Sequence, residues 1–462
     1  MTLIKSISGI RGTIGGNVGE NLTPIDIAKF TAAYGHWIAE NNKNTQNITI
    51  VVGRDARLSG EMVNAIVTST LTALGINVIE LGLSTTPTVE IAVTEQSANG
   101  GIIITASHNP EQWNALKLLN ENGEFLSQKD GDEIIRLAES DQYEFAAIEN
   151  LGTVTKIDDY IQRHIETVAK LPLVDLEAIK NAHLKVVVDA VNSTGGIAIP
   201  NLLRRLGVTE IIELNCEPTG HFAHTPEPIP ENLTQIAAKV KEVGADLGIV
   251  VDPDVDRLCF VCEDGTMFGE EYTLVAVADY ILSKTPGNTV SNLSSTRALR
   301  DVTEAHGQRY EAAAVGEVNV VEKMKAVHAV IGGEGNGGVI YPAVHYGRDA
   351  LVGVGLFLSH FIHSGKKATE FRNSFPQYVI SKNKIELTPE INVDELLDKM
   401  VTKYKDEEVN TIDGVKIYIQ KEWVHMRKSN TEPIIRIYAE SYSKEAADQF
   451  AHRFVEELKE LV

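Results

Sequence analysis

Short apolar runs alternate with amphipathic stretches along most of the chain. Apolar runs bounded by glycine or polar turn residues predict strands, and apolar spacing of three and four predicts helices. In the first third of the chain this pattern predicts strands within 47–57, 75–83 and 100–106, and helices near 61–74 and 156–171. Asn122-Gly123 is a hairpin signal, so the segment 114–126 is predicted to fold back as two short strands.

The alternation continues through two further units. The second is predicted to open as strand, glycine turn and helix over 184–207 and to end within 245–265, and the third begins with a helix over 270–284 and reaches another helix near Ala350. From about residue 375 the pattern differs, because charged amphipathic helices flank a hairpin-like segment. Strands alternating with helices are typical of α/β domains with mixed sheets.

Length and charge narrow the possible functions. A chain of 462 residues is too long for one ordinary core. Lys and Arg number 42 against 64 Asp and Glu, a net charge of −22, which argues against nucleic acid or an anionic membrane as the partner. A phosphate ligand would therefore need locally gathered cations. No apolar stretch is long enough to span a membrane, and the first residues lack the pattern of a signal peptide.

The chain has three cysteines, at 216, 259 and 262. This small number gives no disulfide framework and favours a reducing cytoplasm. Cys259 and Cys262 form a C-x-x-C pair, but they lie in a strand-like run whose period of two turns their side chains to opposite faces. No redox or metal role is predicted for them.

The segment DPDVDR spaces Asp252, Asp254 and Asp256 two residues apart after an apolar run. In an extended chain this spacing points all three carboxylates to one side. Such carboxylates repel one another unless a cation neutralises them, and an all-oxygen set suits Mg²⁺. An EF-hand loop is excluded, because its sixth position needs glycine and holds Arg257 here.

The segment TASHNP places Ser107 at a bend, where Asn109 precedes a proline. Bends of this kind expose side chains and backbone N–H groups together, which suits an anionic group. His108 and Lys117 are nearby candidates for proton transfer or charge stabilisation. Serine is also common in turns, so this stretch alone leaves open a nucleophile, a capping hydroxyl or a turn residue.

Two further segments suggest contacts to a sugar and to a phosphate. GGEGNGG satisfies a dinucleotide fingerprint, but β-branched residues and a proline follow it where a helix would be required. A turn presenting Glu334 and Asn336 to sugar hydroxyls is the alternative to a plain glycine hairpin. RKSNTEPIIR gathers charged and short polar side chains that suit a phosphate, namely Arg427, Lys428, Ser429, Asn430, Thr431 and Arg436.

In this order the segments SGIRGT, TASHNP, DPDVDR, GEGNGG and RKSNTEPIIR resemble the α-D-phosphohexomutase family over almost the whole chain. The resemblance implies four domains around a central cleft, three related mixed-sheet α/β domains and a smaller C-terminal α+β domain. The expected domains are 1–155, 156–258, 259–374 and 375–462. It also implies conversion of a hexose 6-phosphate to the 1-phosphate through a phosphoserine and a hexose 1,6-bisphosphate.

The resemblance assigns roles residue by residue. Ser107 matches the phosphoserine, and Asp252, Asp254 and Asp256 match the Mg²⁺ ligands, with the seryl phosphate completing that site. Arg257 matches a neighbour of this phosphate, and Arg11, His108 and Lys117 match positions for transition-state charge and proton transfer. Glu334 and Asn336 fall in the sugar loop, while Arg427, Ser429, Asn430, Thr431 and Arg436 match the loop that holds the other phosphate.

Three departures from the family pattern concern the sugar. Gly338 stands where many members have histidine, Glu317 lies where some relatives have histidine, and the segment 292–297 lacks a lysine. Fewer cations and an added carboxylate favour an amino sugar, so glucosamine phosphate is predicted, with glucose and mannose phosphates as alternatives. A sugar-phosphate sensor and a phosphatase are rival functions. A cytoplasmic monomer or homodimer without nucleic-acid or membrane partners is expected.

Overall fold

A computed structural model describes residues 2–6, 9–43, 45, 47–140, 142–386, 392–428 and 434–461 of the chain. It divides into two compact units, of which unit 1 comprises Met1–Thr273 and Gly337–Phe371, and unit 2 comprises Leu274–Asn336 and Arg372–Val462. Among the described residues, no helix combines the length and the apolar character that a membrane crossing requires.

The strands and helices follow one another in the alternating order that the sequence predicts. The described strands are β1 Ile4–Ser6, β2 Gly9–Thr13, β3 Thr49–Arg54, β4 Asn77–Leu83, β5 Gly100–Ile104, β6 Trp113–Leu119, β7 Val154–Lys156, β8 Lys185–Asp189, β9 Glu210–Leu214, β10 Leu247–Val251, β11 Leu258–Cys262, β12 Asn288–Asn292, β13 Tyr310–Ala313, β14 Ala329–Glu334, β15 Gly338–Ile340, β16 Val379–Glu386, β17 Glu408–Asn410, β18 Val415–Ile419, β19 Glu422–Lys428 and β20 Ile434–Ser441. The described helices are α1 Pro24–Asn41, α2 Gly60–Ala73, α3 Thr86–Glu95, α4 Gln128–Ser140, α5 Tyr160–Ala169, α6 Leu176–Asn181, α7 Gly195–Leu206, α8 Thr234–Val243, α9 Glu270–Lys284, α10 Ala298–Ala305, α11 Glu317–Val327, α12 Ala350–Ser364, α13 Ala368–Arg372, α14 Val393–Lys403 and α15 Lys444–Glu460.

The first sheet of unit 1 has the strand order β1-β2-β6-β5-β3-β4-β7. Strand β3 runs parallel to β4 and β5, whereas β6 is antiparallel to β5, so the sheet is mixed as expected. The predicted hairpin over 114–126 is only half correct, because β6 is followed by a single bridge from Leu119 to Phe125 rather than by a second strand. The Asn120 side chain accepts hydrogen bonds from the backbone N–H groups of Asn122 and Glu124, which holds the chain in a turn instead.

The second sheet has the order β11-β10-β8-β9, with β10 parallel to β8 and antiparallel to β11. Because β11 belongs to this sheet, the sheet continues past residue 258, where the second domain was expected to end. We therefore propose that this domain ends after Cys262, and the other domain boundaries stay as proposed from the sequence. Cys259 and Cys262 lie in β11 as predicted, and both are buried.

Helix α12 contacts strand β11 of the second sheet through Phe357. The ring of Phe357 stacks on that of Phe260 with centroids 3.6 Å apart, and Phe268 and Phe371 surround the pair. Asp349 caps the start of the helix, because its Oδ1 accepts hydrogen bonds from the backbone N–H groups of Leu351 and Val352. This cap fixes the residues just before α12, and they reach the site described below.

Unit 2 contains a parallel set of strands and a separate antiparallel sheet. Strand β12 runs parallel to both β13 and β14. The C-terminal sheet has the order β16-β20-β19-β18-β17 and is antiparallel throughout, with α14 and α15 contributing to one core on one face. Three α/β domains followed by a smaller α+β domain confirm the predicted fold class.

Candidate active site

The bend after β5 carries Ser107 in a strained backbone conformation. Ser107 has φ 47°, in the left-handed region that residues other than glycine seldom adopt. Its backbone N–H donates to Oγ1 of Thr105 at 2.9 Å. Residues held in such conformations cluster at functional sites, where the surrounding structure stabilises them.

The bend is held by Arg57, which is 1% exposed. Its guanidinium donates to four backbone carbonyls, those of Ser107, Asn109, Pro110 and Trp113. Its Nε donates to Oδ2 of Asp55 at 3.0 Å, and Oγ1 of Thr105 donates to the same oxygen at 2.7 Å. The planar fork of one buried arginine therefore shapes the loop that presents Ser107.

The three aspartates of DPDVDR lie buried between β10 and β11, with one oxygen from each within 4.8 Å of the others. The predicted extended conformation is wrong. Val251 and Leu258 are opposite each other in the antiparallel pair, so the chain must reverse between them. Val255 consequently adopts φ 65°, unusual for a β-branched residue, and the turn rather than a strand gathers the carboxylates.

Ser107 meets this aspartate cluster directly. Its Oγ donates to Oδ2 of Asp252 at 2.7 Å, across 145 positions of sequence. The backbone N–H of Arg257 donates to the other oxygen of Asp252 at 3.1 Å. The structure thus brings together the serine and the acidic residues that the sequence analysis singled out in separate segments.

Lys117 lies on the other side of the cluster. Its Nζ is 2.7 Å from Oδ2 of Asp254 and 3.3 Å from Oδ2 of Asp256. Burial alone would lower the pKa of Lys117, but the two carboxylates outweigh burial and raise it. Burial and the neighbouring aspartates raise the pKa of Asp252, whereas Lys117 holds the pKa of Asp254 below its usual value despite burial. Lys117 therefore neutralises only part of the charge of the three buried carboxylates.

Cations also surround His108. Burial and the charge of Arg257 lower the pKa of His108 well below its usual value, and Arg11 and Arg348 add to this effect. Burial and Arg257 likewise lower the pKa of Arg11. Nδ1 of His108 and Nε of Arg257 are buried, and neither atom makes a hydrogen bond in the described part of the chain. This side of the cluster suits an anionic group.

In unit 2, Glu334 is buried at the end of β14. Its Oε1 accepts hydrogen bonds from Nδ2 of Asn292 at 2.7 Å and from the backbone N–H of Gly316 at 3.2 Å. Nδ2 of Asn336 lies 3.4 Å from the other oxygen of Glu334. Glu317, which is 8% exposed, begins α11 directly after Gly316. The candidate sugar residues are therefore neighbours.

The candidate phosphate residues lie on the C-terminal sheet of the same unit. Arg427 on β19 is directly opposite Arg436 on β20. Nε of Arg427 is 3.4 Å from Oδ2 of Asp413, and this oxygen also accepts the backbone N–H of Val315 at 3.0 Å. The other predicted phosphate residues lie outside the described residues, namely Ser429, Asn430 and Thr431.

Comparison with known proteins agrees with this arrangement. The four domain models of phosphoglucomutase/phosphomannomutase match consecutively, the α/β/α domains I, II and III at residues 3–144, 162–265 and 269–378 and the C-terminal domain at 385–457. The chain belongs to the phosphoglucomutase/phosphomannomutase family. It is therefore a member of the phosphohexomutase enzymes.

Individual relatives carry the names of several hexose mutases. A phosphoglucomutase/phosphomannomutase of Thermococcus kodakarensis is 35% identical over 97% of this chain and 98% of its own length. A phosphoglucosamine/phosphogalactosamine mutase of Sulfurisphaera tokodaii is 32% identical over 98% of both chains. A family structure from Burkholderia thailandensis matches with a TM-score of 0.85 and 25% identity over 99% of this chain and 98% of its own.

The aspartate cluster fits the divalent cation that the phosphohexomutase resemblance implies. Oδ1 of Asp254 and Oδ1 of Asp256 are buried and accept no hydrogen bond from any described residue, while Lys117 occupies the Oδ2 atoms. Buried carboxylate oxygens without donors are suitable ligands for a hard cation such as Mg²⁺. The residues present therefore fit Mg²⁺.

Sequence reasoning missed Arg348 at this candidate site. Its Nη2 donates to Oδ2 of Asp256 at 2.7 Å, and the residue is 8% exposed. Arg348 lies in no recognisable motif of charged residues. The only sequence signal is its position one residue before Asp349, the cap that anchors α12.

A buried polar cluster holds the segment that presents Arg348. His345 pairs with Oδ2 of Asp349 at 3.1 Å and with Oε2 of Glu90 at 3.2 Å. Nε2 of His164 lies 2.8 Å from the same oxygen of Asp349. Burial alone would lower the pKa of His345, but the hydrogen bonds to Asp349 and Glu90 outweigh it and raise the pKa to about 10.

This cluster predicts a loss of stability at alkaline pH. The pKa of His345 is about 10 in the folded protein and about 6.5 in the unfolded chain. Its contribution is therefore complete below about pH 6.5 and is lost as the pH rises to about 10, by on the order of a few kcal/mol. We expect the midpoint of thermal unfolding to fall over this range. In His345→Gln the same pH series should be flatter, and parallel curves for the two proteins would contradict the assignment.

Asp254→Asn tests the cation site. The amide keeps the shape of the side chain but removes one negative charge, so Mg²⁺ affinity should fall about tenfold or more. We expect a higher Mg²⁺ concentration for half-maximal mutase activity, together with a lower maximal rate. The exposed Asp132→Asn in α4 is the matched control and should keep the wild-type Mg²⁺ curve. An unchanged dependence of activity on Mg²⁺ concentration in Asp254→Asn would show that Asp254 does not bind the cation.

Proposed function

We propose that the protein is a Mg²⁺-dependent phosphohexomutase that interconverts glucosamine 6-phosphate and glucosamine 1-phosphate through a phosphoserine at Ser107. The observation that carries this proposal is the 2.7 Å contact between Oγ of Ser107 and Asp252, inside a cluster of three buried aspartates. Phosphoryl transfer requires positioning and charge neutralisation rather than elaborate covalent chemistry.

In the proposed reaction the seryl phosphate moves to a free hydroxyl of the hexose monophosphate. The bond between phosphorus and Oγ of Ser107 breaks as the sugar oxygen bonds to phosphorus, and the product is a hexose 1,6-bisphosphate. The second half returns the other phosphate to Ser107. Mg²⁺ held by Asp252, Asp254 and Asp256 would supply positive charge to the transferring group.

The side chains around Ser107 divide the remaining tasks. We assign proton transfer to His108, because its Nδ1 is buried without a hydrogen-bond partner among the described residues. Lys117 is held in two ion pairs and stabilises charge instead. Arg11 and Arg257 supply further positive charge for the phosphate oxygens.

We assign recognition of the rest of the substrate to unit 2. Arg427 and Arg436 stand opposite each other, an arrangement of like charges that a phosphate dianion would stabilise. Ser429, Asn430 and Thr431 remain proposed phosphate ligands on sequence grounds. Glu334 and Asn336 offer a carboxylate and an amide to sugar hydroxyls. Binding energy from the distant phosphate can then be used to position the reacting end.

Glu317 supports an amino sugar. It is a buried carboxylate beside the Glu334 loop, and the ammonium group at C2 of glucosamine would complement it. Relatives named phosphoglucosamine mutase agree with this choice, whereas the Thermococcus kodakarensis relative, named phosphoglucomutase/phosphomannomutase, favours glucose and mannose phosphates as the second candidate.

A panel of sugar phosphates tests the proposal. Purified protein is assayed with the 6-phosphates of glucosamine, glucose and mannose, each with its 1,6-bisphosphate and Mg²⁺. We expect the highest kcat/KM for glucosamine 6-phosphate, and Glu317→Gln should reduce that preference. Equal rates for the three sugars would replace the glucosamine proposal with a broad-specificity mutase. Stoichiometric release of free phosphate would indicate a phosphatase.

A further inference from the structure

Three cations stand side by side on the C-terminal sheet. Lys384 on β16 is directly opposite Arg436 on β20, and Arg436 is directly opposite Arg427 on β19. Residues opposite each other in antiparallel strands project from the same face, with Cβ atoms about 4.5–5.5 Å apart. Lys384, Arg436 and Arg427 therefore form a cation row across three neighbouring strands.

The cation row lies on the face away from the helical core. Ile385, Ile435 and Met426 are the neighbours of the row along each strand, and all three pack in the core with α14 and α15. Because side chains alternate between the two faces of a strand, the row must face the other way. On this face the side chain of Lys384 is 60% exposed and that of Arg427 is 17% exposed.

The row contains more positive charge than the nearby carboxylates neutralise. Like charges directly opposite in a sheet are destabilising, and the row contains two such pairs in succession. Among the described residues, Asp413 is 3.4 Å from Arg427, and Glu386, whose side chain is 84% exposed, is 4.0 Å from Lys384. In a chain with a net charge of −22, such a local concentration of cations favours the binding of an anion.

We propose that Lys384 is a further phosphate-binding residue, the outer member of a three-cation site for the phosphate that is not being transferred. This inference rests on the proposed mutase function and extends it, because Lys384 belongs to none of the segments that resemble the family. A phosphate monoester carries a charge between about −1.5 and −2 at neutral pH and offers three oxygens, one for each member of the row. The side chain of Lys384 is 60% exposed, so it also attracts the anion before the arginines bind it.

Kinetics of Lys384→Gln provide the first test. We expect KM for the hexose phosphate to rise about three- to tenfold with little change in kcat, and the dependence of kcat/KM on salt to become weaker. Lys384→Arg should recover most of the affinity because it keeps the charge. The control is Lys399→Gln on α14, which removes a similarly exposed lysine from the opposite side of the same sheet. A KM and a salt dependence equal to those of this control would overturn the proposal.

Chemical protection provides a second test that does not require turnover. The wild-type full chain is treated with a lysine-acylating reagent, and the modification of each lysine is followed by peptide mass spectrometry. Glucosamine 6-phosphate and inorganic phosphate should each slow the reaction of Lys384, about tenfold at roughly ten times Kd, while Lys399 reacts at the same rate. Glucosamine without phosphate should give no protection of Lys384.

The two tests separate this inference from the proposed function. Protection of Lys384 without turnover of any hexose phosphate would support the phosphate site and reject the mutase. Turnover with an unprotected Lys384 would leave the mutase in place and reject the role of this lysine.

Discussion

Ser107→Ala is expected to lose mutase turnover by about 10⁴-fold or more, because no other group occupies the position from which the phosphoryl group would be donated. Alanine also removes the hydrogen bond to Asp252 but keeps the shape of the bend, which the carbonyl contacts of Arg57 maintain. The variant should therefore remain folded. Coupled assays measure turnover, and intact mass spectrometry after incubation with a hexose 1,6-bisphosphate should find one added phosphoryl group in the wild type and none in the variant.

Ser97→Ala is the matched control for this prediction. Ser97 also has a left-handed backbone, with φ 50°, but it is exposed and follows α3 rather than approaching the aspartates. Replacing it should leave both turnover and phosphorylation unchanged. Wild-type rates in Ser107→Ala would mean that another group carries the phosphate, and the proposed mechanism would then be wrong.

The candidate site residues of unit 1 could be predicted from the sequence because they lie in contiguous motifs. Ser107 follows one buried strand and Asp252 begins the turn after another, so each motif could be found locally. Their contact spans 145 positions of sequence, and only the packing of two sheets brings them together. The spacing of residues within each motif does not show that the two motifs meet. Their contact was therefore expected only from the resemblance to the family.

The residues that sequence reasoning missed are single charged side chains whose burial has no local signature. In GRDAR the two arginines look equivalent, and nothing in the sequence distinguishes Arg57 from Arg54. In the structure Arg54 pairs with the exposed Glu61, while Arg57 is fully enclosed. Arg348 is similar, because it becomes part of the site only when the cap at Asp349 fixes it beside Asp256.

The sequence also failed to predict the backbone reversal that gathers the three aspartates. The spacing of Asp252, Asp254 and Asp256 correctly indicated convergence, but through an extended chain that the register of β10 and β11 forbids. A left-handed Val255 cannot be expected from propensity, because β-branched residues disfavour that conformation. Strain of this kind is imposed by tertiary structure and is therefore invisible in a short window of sequence.

Arg57→Lys is expected to reduce kcat by about 100-fold and to destabilise the protein by about 3–5 kcal/mol. Lysine keeps the charge beside Asp55 but has one ammonium group in place of a planar fork, so it cannot bond four carbonyls at once. The contact to the carbonyl of Ser107 is buried and the other three are partly buried, so their loss is costly and the bend that presents Ser107 loses its shape. Thermal unfolding measures the stability, and steady-state kinetics with saturating Mg²⁺ measure kcat.

Arg54→Lys provides the control within the same segment. Arg54 makes a partly solvated pair with Glu61 at 3.3 Å, so its replacement should leave kcat unchanged and stability within about 1 kcal/mol.

A purely structural Arg57 and a positioning Arg57 give different results for Ser107 itself. If Arg57 only stabilises the fold, then Arg57→Lys measured well below its unfolding temperature should phosphorylate Ser107 at the wild-type rate. If it positions the serine, phosphorylation by hexose 1,6-bisphosphate should slow in proportion to kcat even when the variant is fully folded. We expect the second result, because the carbonyl of Ser107 is one of the four groups that the guanidinium holds. A wild-type rate of Ser107 phosphorylation in the folded variant would show that Arg57 stabilises the fold but does not position the serine.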